Sequence, residues 1–191
     1  MAAKKEEASV PVYQLKVTID GIEPPIWRRI QVRGDVTLFK LHKIIQEAMG
    51  WGDYHLHQFM VGREHYSDPS HEDPWDSDVK SEKRARLSKV APDENNRFIY
   101  EYDFGDSWYH EILVEKIFVP DEELKRPVCL DGERSAPPED CGGIPGYEDF
   151  LVAFRDPEHP DHEEIMDWAG EDYDPDKFDK NEINRLLKKI R

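Results

Sequence analysis

The sequence predicts an α+β fold, in which a mixed and mainly antiparallel sheet packs against one helix and carries a helical cover at the C-terminus. Apolar and polar residues alternate through much of the first two thirds of the chain, which is the pattern of half-buried strands. One strongly amphipathic helical segment interrupts these strands, and helical spacing dominates the last third. A run of strands followed by a run of helices is typical of α+β proteins.

The length of 191 residues suits a single domain that can bury a core of its own. Residues 1–9 are small or charged and predict a disordered tail. We expect one domain over residues 10–191, with a sheet-rich core over 10–120 and a loop and helical part over 121–191. Inside the core, residues 66–80 predict a mobile loop, because the stretch is polar and has no hydrophobic period.

The first two elements are strands, predicted at residues 13–19 and 26–32. Apolar and polar residues alternate in the first of them, and an Asp-Gly turn signal follows it, so the two strands should pair antiparallel. A helix is predicted next, because Thr37 can cap its N-terminus and Gly50 can end it in a left-handed conformation. Its apolar stripe consists of Leu38, Leu41, Ile45 and Ala48. A third strand is expected at residues 56–61.

A hairpin is predicted from strands at residues 98–104 and 108–117, which flank Gly105 in the stretch YDFGDSWYHEI. A loop of three residues, 105–107, would gather the rings of both strands on one face and bury more apolar surface than a two-residue loop. That face would contain Phe98, Tyr100, Tyr102, Phe104, Trp108, His110, Ile112 and Val114. Glu101 and Asp103 would then point to the other side.

The last third predicts three helices. Apolar residues at helical spacing mark the first over residues 147–154, before a proline, and the second is short and ends at Gly170. The third begins at Asp179, where Glu182 can complete a capping box. Its buried stripe would consist of Ile183, Leu186, Leu187 and Ile190.

The charge is strongly acidic, with 26 Lys and Arg against 42 Asp and Glu and a formal net charge of −16. A negative field of this size disfavours nucleic acid and favours a basic protein partner. No apolar run approaches the roughly 20 residues of a membrane span, and the N-terminus has no secretory pattern. We therefore expect a cytoplasmic protein without a membrane contact. The composition does not fix the oligomeric state.

Metal binding is a less favoured alternative. His55 and His57 would point to the same side of a strand, as a pair of ligands must. Zinc assembled from these histidines, His110, Cys129 and Cys141 is conceivable, but the cysteine spacing is not that of a zinc finger. Two reduced structural thiols and a buried core histidine are the simpler interpretation, and no cofactor is expected.

Adjacent Arg28 and Arg29, after Trp27, should lie on opposite faces of their strand. The inward guanidinium should meet a carboxylate, either near the hairpin or at Glu139-Asp140, because an unpaired buried charge is costly. Asp103 and Asp106 flank the hairpin turn and are expected to brace its backbone. No nucleotide-binding loop, nucleophile elbow or HExxH motif is visible, which favours a protein without enzymatic activity.

Four segments closely resemble the plasmid pRiA4b open reading frame 3-like family. They are residues 13–29, 41–59, 98–111 and 129–147, and the likeness covers nearly the whole chain after the tail. The resemblance implies a small intracellular α+β protein associated with plasmids or transposable elements, and it implies no particular biochemical activity. Many relatives have a further cysteine where this chain has Ala136, which weakens a thiolate-bound metal here. The resolvase label given to some relatives finds no support in the residues.

Three hypotheses for function follow. The favoured one is a non-enzymatic protein-interaction module with an acidic surface and a sheet that resembles the β-grasp arrangement. The alternatives are a metal- or small-ligand-binding protein that uses a His/Asp/Cys cluster near residues 102–110, and a mobile-element accessory protein that contacts nucleic acid. The motif residues that would form a ligand site are Trp27, Arg28, Arg29, Trp51, His55, His57, Asp103, Gly105, Asp106, Trp108, His110, Glu139, Asp140, Gly142 and Gly143.

Overall fold

The computed structural model describes residues 10–68, 70, 79–170 and 172–190. The predicted tail, residues 1–9, lies outside this range. Eight strands and five helices occur in the described residues. The strands are β1 (Val12–Ile19), β2 (Trp27–Arg33), β3 (His57–Val61), β4 (Glu64–Ser67), β5 (Lys80–Ser81), β6 (Arg97–Tyr102), β7 (Trp108–Phe118) and β8 (Val128–Glu133). The helices are α1 (Leu38–Met49), α2 (Leu87–Val90), α3 (Gly143–Arg155), α4 (His162–Ala169) and α5 (Lys180–Leu187).

All eight strands belong to one sheet, in the order β5-β4-β3-β6-β7-β1-β2-β8. Every neighbouring pair is antiparallel except β4 and β5, which run parallel. The predicted α+β class, with a mixed and mainly antiparallel sheet, is therefore confirmed. The central strands β6, β7 and β1 carry the most apolar faces, which places the core over the middle of the sheet.

The first hairpin and the helix α1 form as their sequences predict. Leu15 lies opposite Ile30 in the antiparallel register of β1 and β2, and both side chains are fully buried. The hydroxyl of Thr37 accepts a hydrogen bond from the backbone N–H of Lys40, and Gly50 ends α1 at φ +85°. The buried stripe of α1 packs into the same core as the central strands.

Four short elements are not visible in the sequence pattern: β4, β5, α2 and β8. Tyr66 and Ser67 belong to β4 and Lys80 to β5, so these parts of the predicted loop are ordered strand. Residues 69 and 71–78 of that loop prediction lie outside the described residues. β5 is only two residues long and β8 is an edge strand, so neither contains enough buried positions to generate a period of two.

The C-terminal helices form the predicted cover. Helix α5 packs against α1 and β8, and the carboxylate of Asp179 accepts hydrogen bonds from the N–H groups of Asn181 and Glu182. The predicted cap at Asp179 is therefore present. The side chain of Glu182 pairs with Arg185 instead of returning to the cap, so the structure shows half of the expected capping box.

Candidate metal centre

The hairpin of β6 and β7 has a loop of five residues, because Tyr102 lies opposite Trp108. The predicted loop of three residues is wrong. The predicted face is correct for the strand residues, since Tyr100, Tyr102, Trp108 and their same-face neighbours are buried. Phe104, which was expected on that face, lies in the loop and is 47% exposed.

Backbone conformation explains the longer loop. Asp103 and Ser107 adopt positive φ values of +57° and +54°, which removes both residues from the extended ladder. The turn closes with a 2.5 Å hydrogen bond from Ser107 N–H to the Asp103 carbonyl. The Asp103 carboxylate also accepts the N–H of Gly105 at 2.9 Å, which is the local bracing expected of an aspartate in a turn.

Asp103 and Glu101 are not left outside the protein, and this expectation needs correction. Asp103 is only 8% exposed, and its Oδ2 atom faces His55 Nε2 at 3.7 Å. Glu101 is also buried, and its carboxylate accepts a hydrogen bond from the side chain of Gln58 at 2.6 Å. Glu101 contacts Gln58 of the neighbouring strand β3, and Asp103 lies in the hairpin loop beside His55, so burial does not follow strand alternation alone.

Three carboxylates converge on one histidine at the hairpin tip. His55 Nε2 lies 3.1 Å from Asp140 Oδ1, 3.6 Å from Glu139 Oε2 and 3.7 Å from Asp103 Oδ2. Nitrogen and oxygen ligands about 2.0–2.2 Å from a divalent ion lie roughly 3.0–3.5 Å from each other. The tip cluster is formed by His55, Asp103, Glu139 and Asp140, and the distances from His55 Nε2 to its carboxylates are close to that range. Ligand atoms of His55, Asp103 and Asp140 lie within 4.8 Å of one another, and Glu139 is not part of this group of three.

The tip cluster carries more negative charge than its surroundings balance. Among the described residues, His55 is the one side chain within ion-pair distance of Asp103, Glu139 or Asp140. Its Nε2 atom is shielded from solvent and makes no hydrogen bond, despite the 3.1 Å approach of Asp140. Buried charges in proteins are normally paired or bound to metal ions, so a divalent cation would supply the missing positive charge.

Glu139 is held in the tip cluster by two donors. The Tyr102 hydroxyl donates to the Glu139 carboxylate at 3.1–3.2 Å, and Gly52 N–H donates at 2.6 Å. Burial, followed by the charge of Glu139, raises the pKa of Tyr102, which keeps the hydroxyl protonated. Tyr102 is a positioning residue that the sequence interpretation missed. Its place on the buried face was the available signal, because a buried tyrosine hydroxyl needs a partner.

The loop that carries Asp140 is held in place by contacts of Trp51, Asp106, Gly142 and Gly143. The Trp51 indole N–H donates to the Pro137 carbonyl at 2.9 Å, and its ring stacks on Tyr102. Asp106 accepts the N–H of Gly142 at 3.0 Å. Gly143 has φ +68°, and a Cβ atom there would lie 2.6 Å from the carbonyl oxygen of Asp106. These contacts fix the beginning of α3 against the hairpin tip.

His57 belongs to a different network from His55, so the expected histidine pair does not form. The rings of His57 and His42 stack with centroids 3.4 Å apart and planes 3° apart. His42 contacts the Tyr100 hydroxyl at 2.7 Å and Asp53 at 2.8 Å, and His57 contacts Glu82 at 2.8 Å.

This stacked pair is better suited to a structural role than to metal binding. Ligand atoms of His42, Asp53 and His57 lie within 4.8 Å of one another. The two stacked rings are parallel, however, so their nitrogen lone pairs lie in parallel planes and do not point at a common ion. Both nitrogens of His42 already have partners. Burial is the main cause that lowers the pKa of His42 to about 3, so its ring stays neutral.

His110 and the two cysteines do not join His55. In the described chain, no group of three ligand atoms within 4.8 Å of one another includes His110, Cys129 or Cys141. His110 is fully buried beneath Trp51, and its Nδ1 atom lies 2.9 Å from the Trp108 carbonyl. The cysteines are free thiols, and burial raises the pKa of Cys129 and, to about 12, that of Cys141.

Within the part of the chain that the structure describes, Arg28 meets backbone carbonyl groups and no carboxylate, so the predicted partner is wrong. The side chain is 3% exposed, and its guanidinium donates to the carbonyl groups of Ala48, Trp27 and Glu133 at 2.8–3.0 Å. Ala48 lies in the last turn of α1, where unpaired carbonyl groups attract cations.

Arg29 lies on the opposite face, as predicted, and forms a two-point contact with Glu115 at 2.7 and 2.9 Å. Trp27, beside it, donates its indole N–H to Glu133 at 3.1 Å. These residues belong to the β2 side of the sheet and are not members of the tip cluster. Their contacts account for them as structural residues.

Comparison with known proteins identifies relatives across most of the chain. The family model described as "Plasmid pRiA4b ORF-3-like protein" matches residues 11–182. A protein of Sinorhizobium fredii (strain NBRC 101917 / NGR234), named "Uncharacterized protein y4hQ", is 37% identical over 178 residues, which are 92% of this chain and 90% of that protein.

A solved structure is similar as well. The crystal structure of the protein of unknown function MM3350 from Methanosarcina mazei Go1 superposes with a TM-score of 0.79 at 41% sequence identity. The match covers 91% of this chain and 97% of that chain.

Among the described residues, none of the helices has the length and apolar content needed to cross a bilayer.

Proposed function

The chain belongs to the plasmid pRiA4b ORF-3-like family, and we propose that it binds one divalent metal ion at the tip cluster. The observation that carries the proposal is the approach of three carboxylate oxygens to His55 Nε2 at 3.1–3.7 Å without a lysine or arginine within ion-pair distance, among the described residues. Membership of the family agrees with the resemblance of the four sequence segments. Metal binding is inferred from the geometry of the tip cluster alone.

The ligand chemistry favours a first-row divalent ion. One imidazole nitrogen and carboxylate oxygens suit Zn²⁺, Fe²⁺ or Mn²⁺ better than Mg²⁺ or Ca²⁺, which prefer oxygen alone. The ion would connect three separate parts of the chain: the segment before β3, the hairpin tip and the loop before α3. The Asp140 side chain is 69% exposed, so the centre would be open to solvent on that side.

The proposed function is binding rather than catalysis by a protein nucleophile. Burial raises the pKa of both thiols, so neither cysteine provides a thiolate near neutral pH. An open metal centre could additionally take a small anionic ligand, because the three ligands His55, Asp103 and Asp140, whose ligand atoms lie within 4.8 Å of one another, leave positions of an ion free.

A calorimetric titration of metal-free protein with Zn²⁺ and with Mn²⁺ tests the proposal. We expect one site for at least one of these ions, and we expect His55→Ala and Asp103→Asn each to weaken binding by about tenfold or more. Glu101→Gln is the matched control, since this buried hairpin carboxylate lies outside the tip cluster and should retain the affinity. Equal affinities for all four proteins, or no binding of either ion, would contradict the proposal.

A second candidate function is the binding of a basic protein partner. The net charge of −16 favours it, and such binding should weaken as salt rises, because exposed charges are screened. The same charge disfavours the nucleic-acid alternative, which would need micromolar binding of random DNA at low salt to replace this candidate. A basic peptide offered at low and at physiological salt tests the second candidate directly.

A further inference from the structure

A groove of about 810 Å³ lies between α3 and α4 and extends to Asp140. Its lining includes apolar side chains of both helices, among them the buried Phe150 and the half-buried Ile165, together with exposed acidic side chains. Small-molecule and cofactor pockets have volumes of about 300–1,000 Å³, so the groove is large enough to take one or two side chains of a ligand.

The apolar part of the groove is incompletely covered. Helix α4 has no buried residue, although one of its faces is apolar. Trp168 on α4 is 47% exposed and Val152 on α3 is 61% exposed, and both line the groove. A tryptophan and a branched aliphatic side chain left in water at one site are typical of a surface that a partner covers.

The acidic side chains that line the groove have few positive charges near them. Asp149, Asp161 and Glu164 line it, and among the described residues the one ion-pair contact of these three is between Asp161 and His159, at 4.0 Å. His159 is also the one basic side chain that lines the groove. Apolar anchors surrounded by free carboxylates are complementary to a segment with apolar side chains between lysines and arginines.

We propose that this groove binds a basic, amphipathic segment of another protein. One or two apolar side chains of the segment lie against Trp168 and Val152, while its lysines and arginines meet Asp149, Asp161 and Glu164. This inference rests on the second proposed function, because it names the surface and the chemistry of the partner. It does not depend on metal at the tip cluster, although Asp140 belongs to both sites.

Fluorescence anisotropy with a short labelled peptide of alternating Lys/Arg and Leu/Trp tests the inference. Two control peptides keep its length: one has Glu at every basic position, and one has Ser at every apolar position. We expect binding of the first peptide alone, weaker at physiological salt. The variant Asp149→Lys/Glu164→Lys should lose about tenfold or more in affinity, and Trp168→Ala about fivefold or more.

Val152→Ser accompanies Trp168→Ala, since it removes an exposed apolar contact with little risk to folding. Asp140 stays unchanged in every variant, and the zinc titration of each variant should match that of the wild type. The closest charge control is Asp121→Lys/Glu122→Lys, on an exposed segment that does not line the groove. This control should keep the affinity of the wild type.

The results distinguish an error about the groove from an error about the binding of a basic partner. If the peptide binds but the groove variants and the control variant lose affinity equally, the interaction function stands and the groove is wrong. If no peptide binds at low salt, both are wrong. A concentration-dependent dimer that Trp168→Ala dissociates would also overturn the inference, because the groove would then be covered by a second copy of this chain.

Discussion

At the residue scale, the structure buries ionisable groups in two different ways. His42 and His110 are kept neutral in the core, and burial is the first cause that lowers the pKa of each, to about 3 and about 4. Arg28 is kept charged by three backbone carbonyl groups. The tip cluster differs from both, since its carboxylates face one another around a single histidine.

The buried His110 should make stability depend on pH. Its pKa falls from 6.5 to about 4 in the folded protein, so below pH 6.5 the unfolded chain takes up a proton that the folded protein does not. The free energy of unfolding should therefore fall by about 2 kcal/mol from this group between pH 6.5 and 4.5. His110→Phe should remove this contribution from the difference between urea unfolding curves at the two pH values.

His65→Gln serves as the control, because His65 is exposed and its replacement should preserve the wild-type pH dependence. Identical slopes for the wild type and His110→Phe would show that His110 does not stay neutral in the folded protein.

Residue identities in the site were partly predictable. The sequence drew attention to His55, Asp103, Glu139 and Asp140 as motif residues. Their assembly was not predictable, since it depends on positive φ at Asp103 and on contacts between positions more than eighty residues apart. The sequence predicted that one of Arg28 and Arg29 faces inward, but it named a carboxylate as the acceptor, because a carbonyl group at a helix end leaves no mark in composition.

At the scale of strands and helices, the elements that could be predicted are those whose apolar residues recur at regular spacing. β1, β2 and α1 have several buried positions at regular spacing, and all three appear where the pattern places them. Helix α5 also appears there, although only Ile183 and Leu187 of its predicted stripe are buried. β4, β5 and β8 lie towards the edges of the sheet and bury too few side chains for a pattern. The hairpin combined both cases: the face of its strands was predicted, but the length of its loop was not.

The contact between α3 and the hairpin tip gives an element-scale prediction. Gly143→Ala would force both a side chain at φ +68° and a Cβ atom 2.6 Å from the Asp106 carbonyl oxygen. Gly62→Ala is a matched control, since Gly62 has φ +62° with nothing within 4 Å of the added atom. We expect Gly143→Ala to lower the free energy of unfolding by at least about 1 kcal/mol more than Gly62→Ala.

Chemical denaturation measures both losses, and zinc titration shows whether the displaced loop still delivers Asp140 and Glu139 to His55. The metal affinity should fall in Gly143→Ala and remain unchanged in Gly62→Ala. Equal losses of stability in the two variants would mean that the loop before α3 adjusts without disturbing the hairpin.

At the scale of the whole molecule, one ion would join parts of the chain that are distant in sequence. His55 precedes β3, Asp103 lies in the loop between β6 and β7, and Asp140 precedes the C-terminal cover. A ligand that binds the folded but not the unfolded chain stabilises the fold by mass action, so metal would also strengthen the attachment of the cover to the sheet. A metal ion bound to Asp140 would also reduce the negative charge of the groove between α3 and α4, which Asp140 lines.

Elemental analysis of untagged protein, purified without chelators, tests the central claim most directly. We expect about one equivalent of a first-row divalent metal per chain in the wild type and a strong reduction in His55→Ala. Glu101→Gln should match the wild type. Less than about a tenth of an equivalent of every such metal in the wild type would contradict metal binding at the tip cluster.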